Sequence, residues 1–213
     1  MKKVFVMAFM ALSVAAMAQS VTPLTIKVAE FKVDSLRALY MNQPIMYRAS
    51  LDEVAQALAK NATEVKNAKV VLKVEQAHVK EMASSLKEAA KMTAALKKLY
   101  GKEESELKSM QKTVEKQQKT LTKHSELNEE TRQSYVDFLE KQQKELGYFV
   151  REVAERQRTI ADLETTVQNG QTMMQSYNQQ VASKAAELSQ IEALLKERQT
   201  SLKAEQKSAK TMQ

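Results

Sequence analysis

The chain has 213 residues, no cysteine, 3 Gly, 2 Pro and a formal net charge of +7. Average proteins use about 7% glycine and about 5% proline, and compact enzymes need both residues in their tight turns. This composition argues against a globular enzyme. The lack of cysteine leaves no thiol nucleophile, thiolate metal ligand or disulfide in the sequence.

Residues 1–18 have the features of a signal peptide. Two lysines precede an apolar run of 13 residues, and Ala16-Met17-Ala18 matches a small-x-small cleavage site. The apolar run is too short to cross about 30 Å of hydrocarbon as a helix. We therefore predict cleavage between Ala18 and Gln19. The mature chain is expected to be periplasmic or otherwise exported and to have no membrane span.

Residues 19–49 are predicted to form a short strand and helix segment. Leu24, Ile26 and Val28 alternate with less apolar residues, a period-two pattern typical of a strand. Asp34 is placed to cap the short helix that follows. A lone strand cannot satisfy its own backbone groups. It pairs with the same strand of a second copy, pairs with a partner protein, or is no strand at all.

Residues 50–210 carry an apolar heptad repeat. Two series of positions, each repeating every seven residues, run from Leu51 to Leu121 and from Leu139 to Leu202. Such a repeat keeps one stripe of a helix against a partner helix, as in a coiled coil. The predicted fold class is all-α: a long antiparallel coiled-coil helical hairpin, preceded by the short strand and helix segment.

The ends of the two arms follow from local signals. The stretch from Ser50 to Glu53 matches a capping box at the start of the first helix. The apolar stripe nearly vanishes over residues 122–134, where Ser125 or Asn128 is placed to cap a second helix. The reversal is expected within residues 122–130. The arms are predicted at about 51–121 and 129–209.

The glycines give a weaker signal for the same reversal. Tyr100-Gly101 and Gly147-Tyr148 are mirror images in sequence, and folding the chain back near residue 124 places Gly101 level with Gly147. Gly101 itself is a rival position for the turn, because lysines precede it and glutamates follow it.

Little in the sequence points to catalysis. Asn61 and Glu75 interrupt the apolar stripe, and such polar residues more often fix helix register than carry chemistry. His78 lies near Glu75 and Glu81, but this grouping on an exposed helix is typical of a solvated surface. No catalytic or phosphate-binding motif occurs. We expect no enzyme activity, no catalytic residues, no cofactor and no metal site.

Partners are predicted to be proteins. Export and the interleaving of acidic with basic residues argue against nucleic acid, despite a sequence pI of about 9.4. Residues 21–48 combine an unpaired strand with an apolar cluster, so they are predicted to mediate self-association or partner binding. The candidate interaction residues are Leu24, Ile26, Val28, Tyr40, Met41, Met46 and Tyr47.

The predicted function is that of an exported, periplasmic structural or scaffold protein of the bacterial cell envelope, acting through protein–protein interaction. The alternative is a chaperone or adaptor that binds client chains. The layout of signal peptide, short strand, small helix and long basic arms is similar to the Skp/OmpH family of periplasmic chaperones. That resemblance implies trimers with small β-bodies and hairpin tentacles that hold unfolded outer-membrane proteins. The sequence departs from it because residues 199–213 show no returning strand.

Overall fold

The computed structural model describes residues 21–40, 42–123 and 126–211, and these residues form three helices. Helix α1 spans Val33–Leu39, α2 spans Pro44–Lys123 and α3 spans Glu129–Lys210. The two long helices pack against each other in antiparallel orientation, which confirms the predicted all-α helical hairpin. The predicted signal peptide lies outside the described residues.

The core follows the predicted heptad positions along the seam between α2 and α3. Each apolar side chain that the seam removes from water stabilises the fold by about 1.5–3 kcal/mol, so the repeat is the main source of stability. The buried members of the two series are Leu51, Leu58, Val65, Leu86, Leu107 and Val114 on α2, and Leu139, Val153, Ile160, Val181, Leu188, Leu195 and Leu202 on α3.

The first long helix begins earlier than predicted. Its first residue is Pro44, and the backbone N–H of Tyr47 already donates to the Gln43 carbonyl at 2.9 Å. Proline suits this position because its fixed φ is helical and its missing N–H has no partner to lose. The predicted capping box at Ser50 is therefore wrong, since Ser50 lies inside the helix.

The short helix α1 begins without the predicted cap. Its N-cap residue is Lys32, which makes no side-chain capping bond, and Asp34 lies in the first turn. Asp34 still contributes there, because a carboxylate near a helix N-terminus interacts favourably with the helix dipole.

The chain reverses between Lys123 and Glu129, inside the predicted range. Asn128 caps α3, because its Oδ1 accepts a hydrogen bond from the Thr131 backbone N–H at 2.8 Å. Ser125, the other predicted cap, lies outside the described residues. Gly101 lies inside the continuous helix α2, so the rival turn there is wrong.

The mirror pairing of the glycines is also wrong. Glu103, close to Gly101, forms an ion pair with Arg156, which is nine residues beyond Gly147. Nine helical residues correspond to about 14 Å along the axis, so Gly101 and Gly147 do not lie level. The helices continue through both glycines.

The contacts divide the hairpin into two compact units. Among the described residues, the terminal unit comprises 21–40, 42–83 and 173–211, and the turn unit comprises 84–123 and 126–172. In the terminal unit, residues 21–32 run along the packed helices, and we call them the N-terminal segment.

The N-terminal segment is extended but forms no strand, and none occurs elsewhere in the described residues. The predicted strand is therefore wrong. The alternation nevertheless places Leu24, Ile26 and Val28 against the hydrophobic core of the terminal unit, where all three are half-buried. The segment needs no second strand because side chains of α2 and α3 bind its backbone.

Candidate functional site

A groove of the terminal unit holds the N-terminal segment. Polar residues line it at the heptad position three residues after a core residue: Asn61 and Glu75 on α2, and Lys184 and Arg198 on α3. We call it the terminal groove. It holds an extended stretch of the chain's own backbone.

Asn61 binds the segment as a neighbouring strand does. Its Oδ1 accepts a hydrogen bond from the Ala29 backbone N–H at 2.8 Å, and its Nδ2 donates to the Lys27 carbonyl at 3.1 Å. Nδ2 also donates to Glu64 Oε2 at 2.9 Å, which fixes the orientation of the amide. The predicted register residue therefore aligns the extended segment on the helices.

Arg198 and Glu75 hold two further points of the segment. One guanidinium nitrogen of Arg198 donates to the carbonyls of Val28, at 2.7 Å, and Ala29. Nearer the start of the segment, the Thr22 backbone N–H donates to Glu75 Oε1 at 3.2 Å. These contacts satisfy backbone groups that otherwise need a paired strand.

Glu75 and Lys184 form a buried ion pair across the seam. Lys184 Nζ lies 2.8 Å and 2.7 Å from the two carboxylate oxygens, and the side chains are only 6% and 10% exposed for Lys184 and Glu75. A buried pair needs close geometry to offset its desolvation, and two short contacts to one ammonium supply it. Nearby, burial and the negative charge of Glu75 raise the pKa of Tyr177.

A second buried carboxylate connects α1 to both long helices. Arg37 on α1 donates to Glu205 on α3 at 2.8 Å and 2.7 Å, and the Tyr47 hydroxyl also donates to Glu205. The hydrogen bonds from Arg37 hold the pKa of the Glu205 carboxyl below its usual value. Burial raises the pKa of Tyr47, and so does the hydrogen bond to Glu205.

The predicted interaction residues fall into different environments. Leu24, Ile26 and Val28 face the hairpin, Tyr40 packs against the same core, and Tyr47 is buried within it. Met46 is exposed, and Met41 lies outside the described residues. The structure thus groups five of these residues around one core. Their role in binding a partner stays a prediction.

Three residues of α3 at these sites escaped sequence reasoning: Lys184, Arg198 and Glu205. Each lies three residues after a core leucine or valine of the second apolar series, where a coiled coil normally has an apolar residue. Charge at a core position was the signal that could have identified them.

Other features of the described residues bear on metals and membranes. No group of three histidine, aspartate or glutamate residues within 21–40, 42–123 and 126–211 could hold a metal ion. Over the same residues, no helix is long and apolar enough to cross a membrane.

Comparison with known proteins finds a likeness of fold. No protein-family profile matches the sequence, and no curated protein is similar to it. The chain is similar to a solved structure described as the soluble AhlC of the tripartite α-pore-forming toxin AHL from Aeromonas hydrophila. The TM-score is 0.57, the identity is 13%, and the alignment covers 98% of this chain and 76% of that chain. At this identity the likeness shows a shared helical fold.

Proposed function

We propose that the protein is an exported helical-hairpin scaffold of the bacterial cell envelope that acts by binding other proteins. The observation that carries this proposal is an exposed apolar patch beside the turn from α1 to α2. Leu39, Ile45 and Met46 are 67%, 81% and 54% exposed. Leu39 ends α1, and Ile45 and Met46 lie in the first turn of α2. Large exposed apolar side chains grouped in one region are more typical of protein interaction sites than single scattered ones. We call these three residues the terminal patch.

The structural relative supports a function that depends on partners. Its description makes it a component of a tripartite toxin, so the same fold in that protein works as one of several parts. Leakage of dye from liposomes in the presence of this protein would indicate pore formation instead of scaffolding.

Export rests on the sequence of residues 1–18. Fractionation of the native host followed by mass spectrometry tests it. We expect envelope-associated protein whose first residue is Gln19. Protein that retains Met1 in the cytoplasmic fraction contradicts export.

The terminal patch is tested with the double variant Ile45→Asp, Met46→Asp. Two carboxylates in an apolar contact remain desolvated and unpaired, so binding to envelope proteins or to a second copy should fall at least tenfold. The matched control is Val70→Asp, because Val70 is 58% exposed but lies well inside α2, away from the terminal patch. Light scattering and pull-down from solubilised envelopes measure the effect. Equal binding by both variants contradicts the assignment.

A chaperone function is the second candidate, and a specific observation favours it. The turn unit exposes large apolar side chains on both long helices, as a client-binding surface requires. They are Leu99, Met110, Tyr135, Phe138, Tyr148 and Val150. Suppressed aggregation of a urea-diluted outer-membrane protein, at equimolar ratio, distinguishes a chaperone from a scaffold. A scaffold leaves that aggregation unchanged.

A further inference from the structure

The terminal groove holds the N-terminal segment by contacts that do not depend on which chain the segment belongs to. Asn61 binds the backbone of Lys27 and Ala29. Arg198 donates to the carbonyls of Val28 and Ala29. The apolar side chains of the segment pack on the core of the terminal unit. The N-terminal segment of a second copy can make the same contacts, because its sequence is identical.

Helix α1 is attached to the hairpin in the same exchangeable way. None of its residues is buried, and Arg37 holds it through hydrogen bonds to Glu205. The turn from α1 to α2 is closed by the backbone N–H of Gln43, which donates to the Tyr40 carbonyl at 2.9 Å. A residue that precedes proline favours an extended backbone, and Pro44 follows Gln43. The N-terminal segment and α1 can therefore leave the hairpin together when this turn opens.

The first turn of α2 lies beyond the end of α3. Glu75 faces Lys184 in the seam. Equal steps along the two antiparallel helices place Lys210, the last residue of α3, level with Ala49. Helix α2 begins five residues before that level, at Pro44, which is about 8 Å at 1.5 Å per residue. Helix α3 therefore stops short of the turn that bears two of the three residues of the terminal patch.

A second copy that meets the first end to end can cover the terminal patch. A twofold axis brings the two patches together, as an isologous contact requires. The connection from Leu39 to Pro44 spans about 17 Å when extended, which exceeds the roughly 10 Å between packed helices. The segment already runs antiparallel to α2 in the groove. A chain that arrives from the other copy therefore enters the groove in the observed direction.

We propose that two copies of this chain form a dimer by exchanging residues 21–39, so that each terminal groove holds the N-terminal segment of the other copy. The exchange keeps every groove contact of the single chain and covers both terminal patches. Exchange of an identical element is a low-cost route to a dimer, because it needs no new binding site. This inference rests on the proposed role of the terminal patch in protein binding, and it names a second copy as the partner.

Refolding a mixture of two singly labelled chains tests the exchange. The chain has no cysteine, so Lys27→Cys in one preparation and Lys60→Cys in the other each take one spin label at an exposed position. The two preparations are mixed in urea and refolded together. Label 27 of one copy should then lie on the order of 1–2 nm from label 60 of the other, because Asn61 binds the Lys27 carbonyl.

Each preparation refolded alone is the matched control. Without exchange, labels 27 and 60 of different copies lie on opposite sides of the contact, about 6 nm apart if the copies meet end to end. The same long separation is expected between like labels in either preparation alone. The short distance should therefore appear only in the mixture. A mixture that gives only the long distance, or no distance between copies, overturns the proposal.

The length of the connection gives a second test. Light scattering should give the native mature chain twice the mass of one chain. Four glycine and serine residues inserted after Asn42 let the segment fold back on its own chain more easily, so the mass should fall to that of one chain. The same insertion after Leu127, in the reversal between α2 and α3, should leave the dimer intact. A native chain with the mass of one copy overturns the proposal, and so does equal mass in both insertion variants.

Failure of this inference is distinguishable from failure of the proposed function. If Ile45→Asp, Met46→Asp reduces binding to envelope proteins but the mixture shows no short distance, the exchange is wrong and the proposed function stands. If the short distance appears while those substitutions leave binding to envelope proteins unchanged, the exchange stands and the patch does not bind other proteins.

Discussion

Arg37 on the short helix α1 donates two hydrogen bonds to Glu205, a residue near the end of α3 and 168 positions further along the chain. Glu205 is almost fully buried, and the Tyr47 hydroxyl donates to the same carboxylate. One carboxylate therefore connects α1, α2 and α3. This arrangement explains how a helix of seven residues, with no buried residue of its own, is held on the hairpin.

The first prediction is that Glu205 makes stability sensitive to acid. Hydrogen bonds from Arg37 lower the pKa of Glu205 in the folded chain. Its stabilisation is thus complete above the unfolded pKa, about 4.3 for glutamate, and is lost as the pH falls through the lower folded value. Glu205→Gln should therefore unfold at lower urea than the native chain at pH 7, with a smaller difference at pH 3.

Glu192→Gln is the control for this experiment. Glu192 pairs with Lys69 on the surface, where both side chains are nearly half exposed, and such pairs contribute only about 0–1 kcal/mol. Its urea midpoint should stay close to that of the native chain. A constant difference between Glu205→Gln and the native chain from pH 7 to pH 3 contradicts the prediction.

The buried pair of Glu75 and Lys184 gives the second prediction. Glu75→Gln leaves the Lys184 ammonium buried without its counter-charge, which should destabilise the protein by about 3–5 kcal/mol. Replacing both residues by methionine removes both desolvation costs and should restore most of that loss. Urea unfolding of Glu75→Met, Lys184→Met and the double variant measures the coupling. If the double variant loses as much unfolding free energy as the two single variants lose together, the residues act independently.

The third prediction concerns the hold of Asn61 on the N-terminal segment. Asn61→Ala removes two hydrogen bonds to the segment's backbone, each worth about 1 kcal/mol, so the segment should open at least tenfold more often. Trypsin should then cut faster after Lys27 and Lys32, both of which are exposed. Asn178→Ala, at an exposed site of α3, should leave the cutting rate unchanged. Equal rates in the two variants contradict a clamp at Asn61.

The heptad pattern predicted the hairpin well because it records a local property, the side of each helix that meets its partner. The apolar series and the gap after Leu121 were enough to locate both arms and the reversal. Asn128 was recognisable because a cap bonds to an amide only three residues away. The capping-box prediction at Ser50 was wrong for the same reason. The motif is a local match, whereas α2 already begins at Pro44.

The N-terminal segment shows what a local pattern cannot predict. The alternation of Leu24, Ile26 and Val28 correctly indicated an extended chain with one apolar face. The alternation carried no information on which residues bind the backbone of the segment. Those residues, Asn61 and Arg198, lie far along the sequence. Polar residues at core positions were visible, but their pairing depends on a helix register that only the structure supplies.

The fourth prediction is that Asn128 stabilises the start of α3. Asn128→Ala removes the hydrogen bond to the Thr131 N–H and should cost about 1 kcal/mol. Asn169→Ala is the control, because Asn169 lies in the helix interior of the same unit, where alanine is at least as favourable. Thermal unfolding by circular dichroism compares the two. Equal melting temperatures contradict a capping role.

The last prediction tests the register of the two helices in the terminal unit. Glu75 faces Lys184, so moving 15 residues back along α2 and forward along α3 places Lys60 opposite Gln199. Packed helix axes lie about 10 Å apart, whereas Gln190 lies about 14 Å further along the axis at 1.5 Å per residue. The chain has no cysteine, so single spin labels can be placed at Lys60 with either Gln199 or Gln190. Electron-spin distance measurements should give the shorter separation for the pair 60 and 199. The register that the mirrored glycines suggest would bring Gln190 closer to Lys60, so a shorter distance for that pair contradicts the register described here.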